Sequence, residues 1–165
     1  MRLSVEGLDD AAARSLLKRI AALVQPRGIA LLVEDRADLV AATEIDGVHL
    51  SRMPAKLGAL RQRLGPERIL GVACGLSRHD AMLAGEAEAD YVSFAGEADA
   101  LLEIAGWWAA LMTVPCVAEG VADLEEAKAL AAAGADFILP DASLWASADP
   151  ASVLQALAAA IRPQA

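Results

Sequence analysis

Cysteine is scarce in this chain: Cys74 and Cys116 are the only two among 165 residues. Two thiols in separate apolar, strand-like segments are too few for a disulfide framework or a four-ligand zinc site, so both read as buried free thiols. Basic residues are short as well, 14 Lys and Arg against 23 Asp and Glu, which gives a formal charge of −9. That balance lacks the broad basic footprint by which proteins hold nucleic acid or anionic membranes, and neither partner is expected. Long apolar runs are missing too, because charges or glycines interrupt every stretch before the roughly 18 residues that a membrane span needs. Glu6, Asp9 and Asp10 fall where the apolar part of a signal peptide would run, so a cytoplasmic location is expected. No Gly-x-Gly-x-x-Gly follows any strand-like segment, which removes the fingerprint of a dinucleotide fold.

What the chain does have is apolar residues, 56% of the total, enough for a substantial core in a single domain over residues 1–165. They fall in alternating patterns. Ala13, Leu16, Leu17, Ile20, Leu23 and Val24 recur at helical spacing after the potential caps Asp9 and Asp10, and the run ends at Pro26 and Gly28. Ile29–Val33 is a short unbroken apolar run of the kind buried on both faces of a parallel sheet, stopped by the polar cluster 34–36. The alternation continues with a helix at 37–43, a strand at 47–50 and a helix from about Pro54 to Leu64. A strand at 69–74 follows, then a helix after Ser77, a strand at 91–94 and a helix through Trp107 and Trp108. Strands at 114–118 and 137–139 bracket a helix at 123–133, and a helix at 150–161 closes the series with proline in its first turn.

Three strands share one entry signature: Ile45-Asp46-Gly47, Ala89-Asp90-Tyr91 and Ala135-Asp136-Phe137. They recur every second βα unit, so the repeat is architectural. Strict alternation with apolar strands predicts a parallel (β/α) barrel of the TIM type. With Leu3–Val5 as the first strand there are about seven βα units. Seven strands leave two edges to bond to each other, to a second subunit, or to a unit outside this sequence, and a homodimer covering those edges is one expectation.

The order Leu31-Leu32-Val33-Glu34-Asp35-Arg36, Asp46-Gly47-Val48-His49-Leu50, Gly71-Val72-Ala73-Cys74, Ala89-Asp90-Tyr91-Val92-Ser93-Phe94, Val114-Pro115-Cys116-Val117-Ala118 and Ala132-Ala133-Gly134-Ala135-Asp136 resembles the thiamine phosphate synthase family. The resemblance covers nearly the whole chain, with the family's first βα unit absent. It implies a (β/α)8-type barrel that joins a pyrimidine pyrophosphate to a thiazole phosphate with Mg2+, releasing pyrophosphate. A pyrophosphate leaving group calls for cations, a divalent ion held by carboxylates, and backbone N–H donors.

Against that pattern the chain departs in several places. The family's Gln-Leu-Arg-x-Lys is matched by Arg2-Leu3-Ser4-Val5-Glu6, and its Asn-Asp by Glu34-Asp35 before Arg36. Ser51-Arg52-Met53-Pro54 follows the Gly-Val-His-Leu motif without the family's second acidic ligand. Ala73-Cys74-Gly75 lacks the usual hydroxyl and imidazole, and the lysine-bearing loop after Phe94 has no counterpart. The final phosphate cradle reads Glu119-Gly120-Val121 and Pro140-Asp141-Ala142-Ser143. The implied ligand-binding residues are therefore Glu6, Glu34, Asp35, Arg36, His49, Arg52, Cys74, Glu119, Gly120, Asp141 and Ser143. Asp35 is the candidate Mg2+ ligand if the chain is active, and no catalytic residue is assigned. Arg36 and Arg52 are placed to neutralise the neighbouring acids. His79 is given no role.

Acids at the mouth of a phosphate site repel a dianion and attract a cation or amine. The expected function is thus a degenerate, non-catalytic family member that binds a cationic or thiamine-related ligand or a partner. The alternative is an active thiamine phosphate synthase.

Overall fold

The computed structural model describes residues 1–161. Strands and helices alternate along it: β1 (Arg2–Leu3), α1 (Asp10–Val24), β2 (Leu32–Glu34), α2 (Ala37–Thr43), β3 (Gly47–Leu50), α3 (Leu57–Leu64), β4 (Ile69–Gly75), α4 (Arg78–Glu86), β5 (Tyr91–Ala95), α5 (Ala98–Leu111), β6 (Cys116–Val121), α6 (Leu124–Ala133), β7 (Phe137–Pro140) and α7 (Pro150–Ala160). Two compact units emerge, one of Met1–Ala73 with Met82–Asp90 and one of Cys74–Ala81 with the chain from Tyr91 onward.

In the first unit β1, β2, β3 and β4 pair in chain order, every pair parallel, with Val33 opposite Val48 and Glu34 opposite His49. All four residues of β3 are buried, as a strand covered on both faces requires. Leu17, Leu31, Val33, Leu39, Ile45, Val48 and Leu70 are fully inaccessible and form its core. Asp9 caps α1 by accepting from the Ala12 N–H at 2.8 Å. In the second unit β5, β6 and β7 pair in parallel, and β6 bulges between Glu119 and Val121, where Gly120 takes φ 78°. Phe94 meets Trp108 edge to face at 5.8 Å, and Asp123 caps α6 through the N–H groups of Glu125 and Glu126.

The repeated aspartate has a single mechanical meaning. The Asp46 N–H donates to the Leu31 carbonyl at 3.0 Å while its carboxylate accepts the Leu31 N–H at 2.7 Å. Asp90 does the same to Leu70, at 2.9 and 2.7 Å, and Asp136 to Cys116, at 3.1 and 2.8 Å. Each aspartate thus clasps both polar groups of the residue at the start of the preceding strand, satisfying backbone that would otherwise be stranded at a strand entry. Only the first repeat continues with glycine. A Cβ on Gly47 would lie 2.0 Å from the Ile69 carbonyl oxygen, whereas Tyr91 and Phe137 occupy the equivalent places.

Several boundaries differ from the sequence reading. β2 starts at Leu32 rather than Ile29, because Gly28 turns left-handed and the Ile29 N–H still bonds to the Val24 carbonyl of the helix end. The strand consequently runs through Glu34, which the polar cluster was expected to exclude. β1 is Arg2–Leu3 instead of Leu3–Val5, set by pairing with Leu32 and Val33. α3 begins at Leu57, with Pro54 outside it, and β6 begins at Cys116 because Pro115 has no N–H for the ladder. The adjacent tryptophans separate as their spacing demands: Trp108 is buried with its indole N–H on the Val114 carbonyl, and Trp107 lies under the Arg78 guanidinium, 4.8 Å from the ring centre. His79 is exposed, as is Trp145 at 65%. No helix among the described residues is long and apolar enough to cross a membrane.

Candidate functional site

A cavity of about 570 Å³ opens where β1, β2 and β3 end. It is lined by the segment Ser4–Leu8 after β1, by Glu34, Asp35 and Arg36, and by Ser51 and Arg52 after β3. Five of the residues singled out from the sequence meet there: Glu6, Glu34, Asp35, Arg36 and Arg52. The carboxyl ends of parallel strands are where loops from separate units converge, which is why residues so far apart in the chain share one space.

Asp35 joins two of the segments that line this cavity. Its N–H donates to the His49 carbonyl and its carboxylate accepts the Ser51 N–H, each at 2.9 Å, so the β2 and β3 exits are stitched together. The residue holds φ 54°, a left-handed conformation that aspartate tolerates better than most side chains. Arg36 lines the cavity, but its guanidinium is spent elsewhere. It bonds to Asp38 at 2.8 and 2.9 Å and to Asp10 at 2.7 Å, tying α2 to α1. The hydrogen bonds that Arg36 donates to Asp38 and then Asp10 hold it above its ordinary pKa, and Arg36 in turn holds the Asp38 carboxyl below its own. The expected neutralisation of Glu34 and Asp35 by Arg36 is therefore corrected: nearer partners on the helices capture it.

Glu34 is balanced from another side. Arg2 lies 3.8 Å from the Glu34 carboxylate and places its Nη1 2.8 Å from His49 Nε2. His49 is 2% exposed and sits in this hydrogen-bonded array rather than in the cavity lining. Arg52 is exposed, and no ion pair or hydrogen bond holds its guanidinium among the described residues. Its assignment as a neutraliser of acids is corrected as well, because no carboxylate reaches it.

The second unit carries the other predicted residues. Cys74 is buried at the end of β4, and desolvation pushes its thiol up to about 12, which makes it an inert packing group. Glu119 precedes the Gly120 bulge in β6. Asp141 accepts the Ser143 N–H at 2.8 Å and caps the short turn Ala142–Ala146, an interaction that lowers its pKa. Asp141 and Ser143 are thereby brought together as a local cap.

Sequence reasoning missed Arg2 as the partner of Glu34 and His49, and missed Ser4, Gly7, Leu8 and Ser51 as lining. The only available signal was that these residues follow strands. Among the described residues no three His, Cys, Asp or Glu side chains converge to hold a metal ion unaided.

The pattern of the family described as thiamine monophosphate synthase (TMP-TENI) matches residues 2–139. A thiamine-phosphate synthase of Rhodospirillum centenum is 37% identical over 154 residues, covering 88% of this chain and 74% of the relative. One of Erythrobacter litoralis is 35% identical over 165, covering 93% and 77%. Among solved structures, thiamine phosphate pyrophosphorylase from Pyrococcus furiosus aligns with a TM-score of 0.82 at 19% identity, over 97% of this chain and 81% of the other. Tryptophan synthase from M. tuberculosis aligns at 0.73 and 17% identity, over 94% and 70%. These structural likenesses give the fold, an α/β fold of TIM-barrel type. The sequence matches go further, because they run through the strand exits that build the cavity: the chain belongs to the thiamine monophosphate synthase family.

Proposed function

We propose that this protein is a thiamine-phosphate synthase, joining a pyrimidine pyrophosphate to a thiazole phosphate as pyrophosphate leaves. The observation that carries the reading is the cavity at the ends of β1 to β3, lined by Asp35, whose carboxylate is fixed on the Ser51 N–H, and by an uncommitted arginine. Its volume suits a ligand of this size. The relatives named thiamine-phosphate synthase, at 35 and 37% identity, support this over the non-catalytic reading expected from the sequence.

Mg2+ held with a pyrophosphate needs only one or two protein carboxylates, the remaining ligands being phosphate oxygens and water. Asp35 fits that minimal role with the oxygen that does not accept from Ser51, and Glu34 stands beside it. A bound Mg2+ neutralises charge on the departing pyrophosphate. The chain's own part is to keep Asp35 fixed, to hold Glu34 through Arg2, and to present Arg52 to the anion.

A second reading rests on a different observation. Three carboxylates line the cavity while one of its two arginines is committed to Asp10 and Asp38, a balance that favours a cationic ring over a dianion. An assay for thiamine phosphate formation from both substrates with Mg2+ separates the two. Turnover is expected. A folded protein that shows ligand-induced thermal stabilisation without turnover establishes the binding role instead.

A further inference from the structure

We propose that Arg52 is the residue that grips the anionic end of the substrate, and that Asp35 positions it by holding the loop on which it stands. The inference rests on the synthase reading and names the residue that performs its anion binding. Three charged clusters surround the cavity, and two are closed. Arg2 is engaged with Glu34 and His49, and Arg36 with Asp10 and Asp38. Arg52 alone among the cavity-lining cations has no carboxylate of its own within the described residues.

A solvated arginine with no partner inside the protein keeps its donors for a ligand, and the planar guanidinium matches phosphate oxygens two at a time. Its backbone is not left to drift. The neighbouring Ser51 N–H is pinned on the Asp35 carboxylate, and the Asp35 N–H is pinned on the His49 carbonyl, so the first step out of β3 is fixed at two points. Glu6 and Glu34 line the same cavity, and their charge limits how tightly any anion binds there. Arg52 then supplies, among the described residues, the one uncommitted cation of the lining against that charge.

The test is calorimetric binding of inorganic pyrophosphate, with and without Mg2+, to the unaltered chain and to Arg52→Ala, Arg52→Lys and Asp35→Ala. Arg63→Ala on α3 serves as a control for the loss of one positive charge. Arg52→Ala is expected to weaken binding by about 10- to 100-fold, the worth of a charge-assisted contact. Arg52→Lys recovers part of that loss, and Arg63→Ala leaves the affinity unchanged. In the synthase assay Arg52→Ala raises KM for the pyrophosphate substrate by the same factor with kcat largely preserved, whereas Asp35→Ala lowers both affinity and kcat. Equal affinity for pyrophosphate in Arg52→Ala and the unaltered chain overturns the proposal, and so does an equal loss in Arg63→Ala. No pyrophosphate binding by the unaltered chain overturns it too. Arg52-dependent pyrophosphate binding without turnover leaves the anion grip standing and removes only the synthase reading.

Discussion

Replacing Arg61 by methionine is expected to cost the first unit a large share of its stability. Arg61 stands in the last turn of α3, yet it is only 7% exposed. Its guanidinium donates to the carbonyls of Glu88 at 2.9 Å, Gly65 at 3.0 Å and Arg68 at 2.8 Å, and it pairs with Asp90. Methionine keeps most of the apolar stem and removes every donor. Three carbonyls then lose a partner worth about 0.5–1.5 kcal/mol each. Asp90 keeps the Leu70 N–H but loses its counter-ion, and because its side chain is 43% exposed, water covers part of that loss. The sum is about 2–5 kcal/mol, most of it from the lost carbonyl contacts. For a chain of this length it lowers Tm by about 5–15 °C. Urea melts followed by circular dichroism, with calorimetry for Tm, give the value directly, and Arg63→Ala provides a surface comparison. A double change of Arg61→Met with Asp90→Asn should cost less than the two single losses added, because the pair shares one interaction. A loss in Arg61→Met no larger than that in Arg63→Ala, or strict additivity of the pair, refutes the reasoning.

Gly47→Ala should lose about 1–3 kcal/mol in the same melts, since the new methyl meets the Ile69 carbonyl in the β3–β4 ladder, and an unchanged midpoint would disprove that fit. Cys74 and Cys116 should resist a thiol-specific reagent at pH 8 until urea unfolds the chain, because burial raises both thiols and Cys74 to about 12; prompt labelling of either one in the folded protein contradicts this. Asp149 caps α7 through Ser152, and the hydrogen bonds from that residue depress its carboxyl below the ordinary 3.8. A depressed carboxyl contributes stability that is present above 3.8 and lost as pH falls through the folded value. The difference in Tm between the unaltered chain and Asp149→Ala should therefore be constant near neutrality and narrow in acid, and a difference independent of pH would count against the cap.

Patterns that repeat over short distances were legible in the sequence. The helical spacing of Leu17 and its neighbours, the alternation of strands with helices and the thrice-used aspartate each reflect a local rule, and α2 and β3 fall where the sequence reading places them. Within the first unit the same holds for Glu6, Glu34 and Asp35, which follow β1 and β2 and line one cavity. Strand starts were harder to place. Ile29 is as apolar as Leu32, and only the turn at Gly28 and the partner residues Arg2 and Gly47 decide which of them joins the ladder.

By itself, then, the sequence determined the alternation of strands and helices and the family, because both follow from composition and order along one chain. Tertiary structure alone decided what single residues do. Arg36 and Arg52 are both arginines after strands, but Arg36 has Asp10 and Asp38 within reach and is closed into the scaffold, while Arg52 has no such partner among the described residues and lines the cavity exposed. Arg61, to which the sequence reading assigned nothing, is buried because three carbonyls and Asp90 converge on it. Charge pairing acts over a few ångströms, and a one-dimensional order of residues carries no record of which distant carboxylate or carbonyl will stand that close.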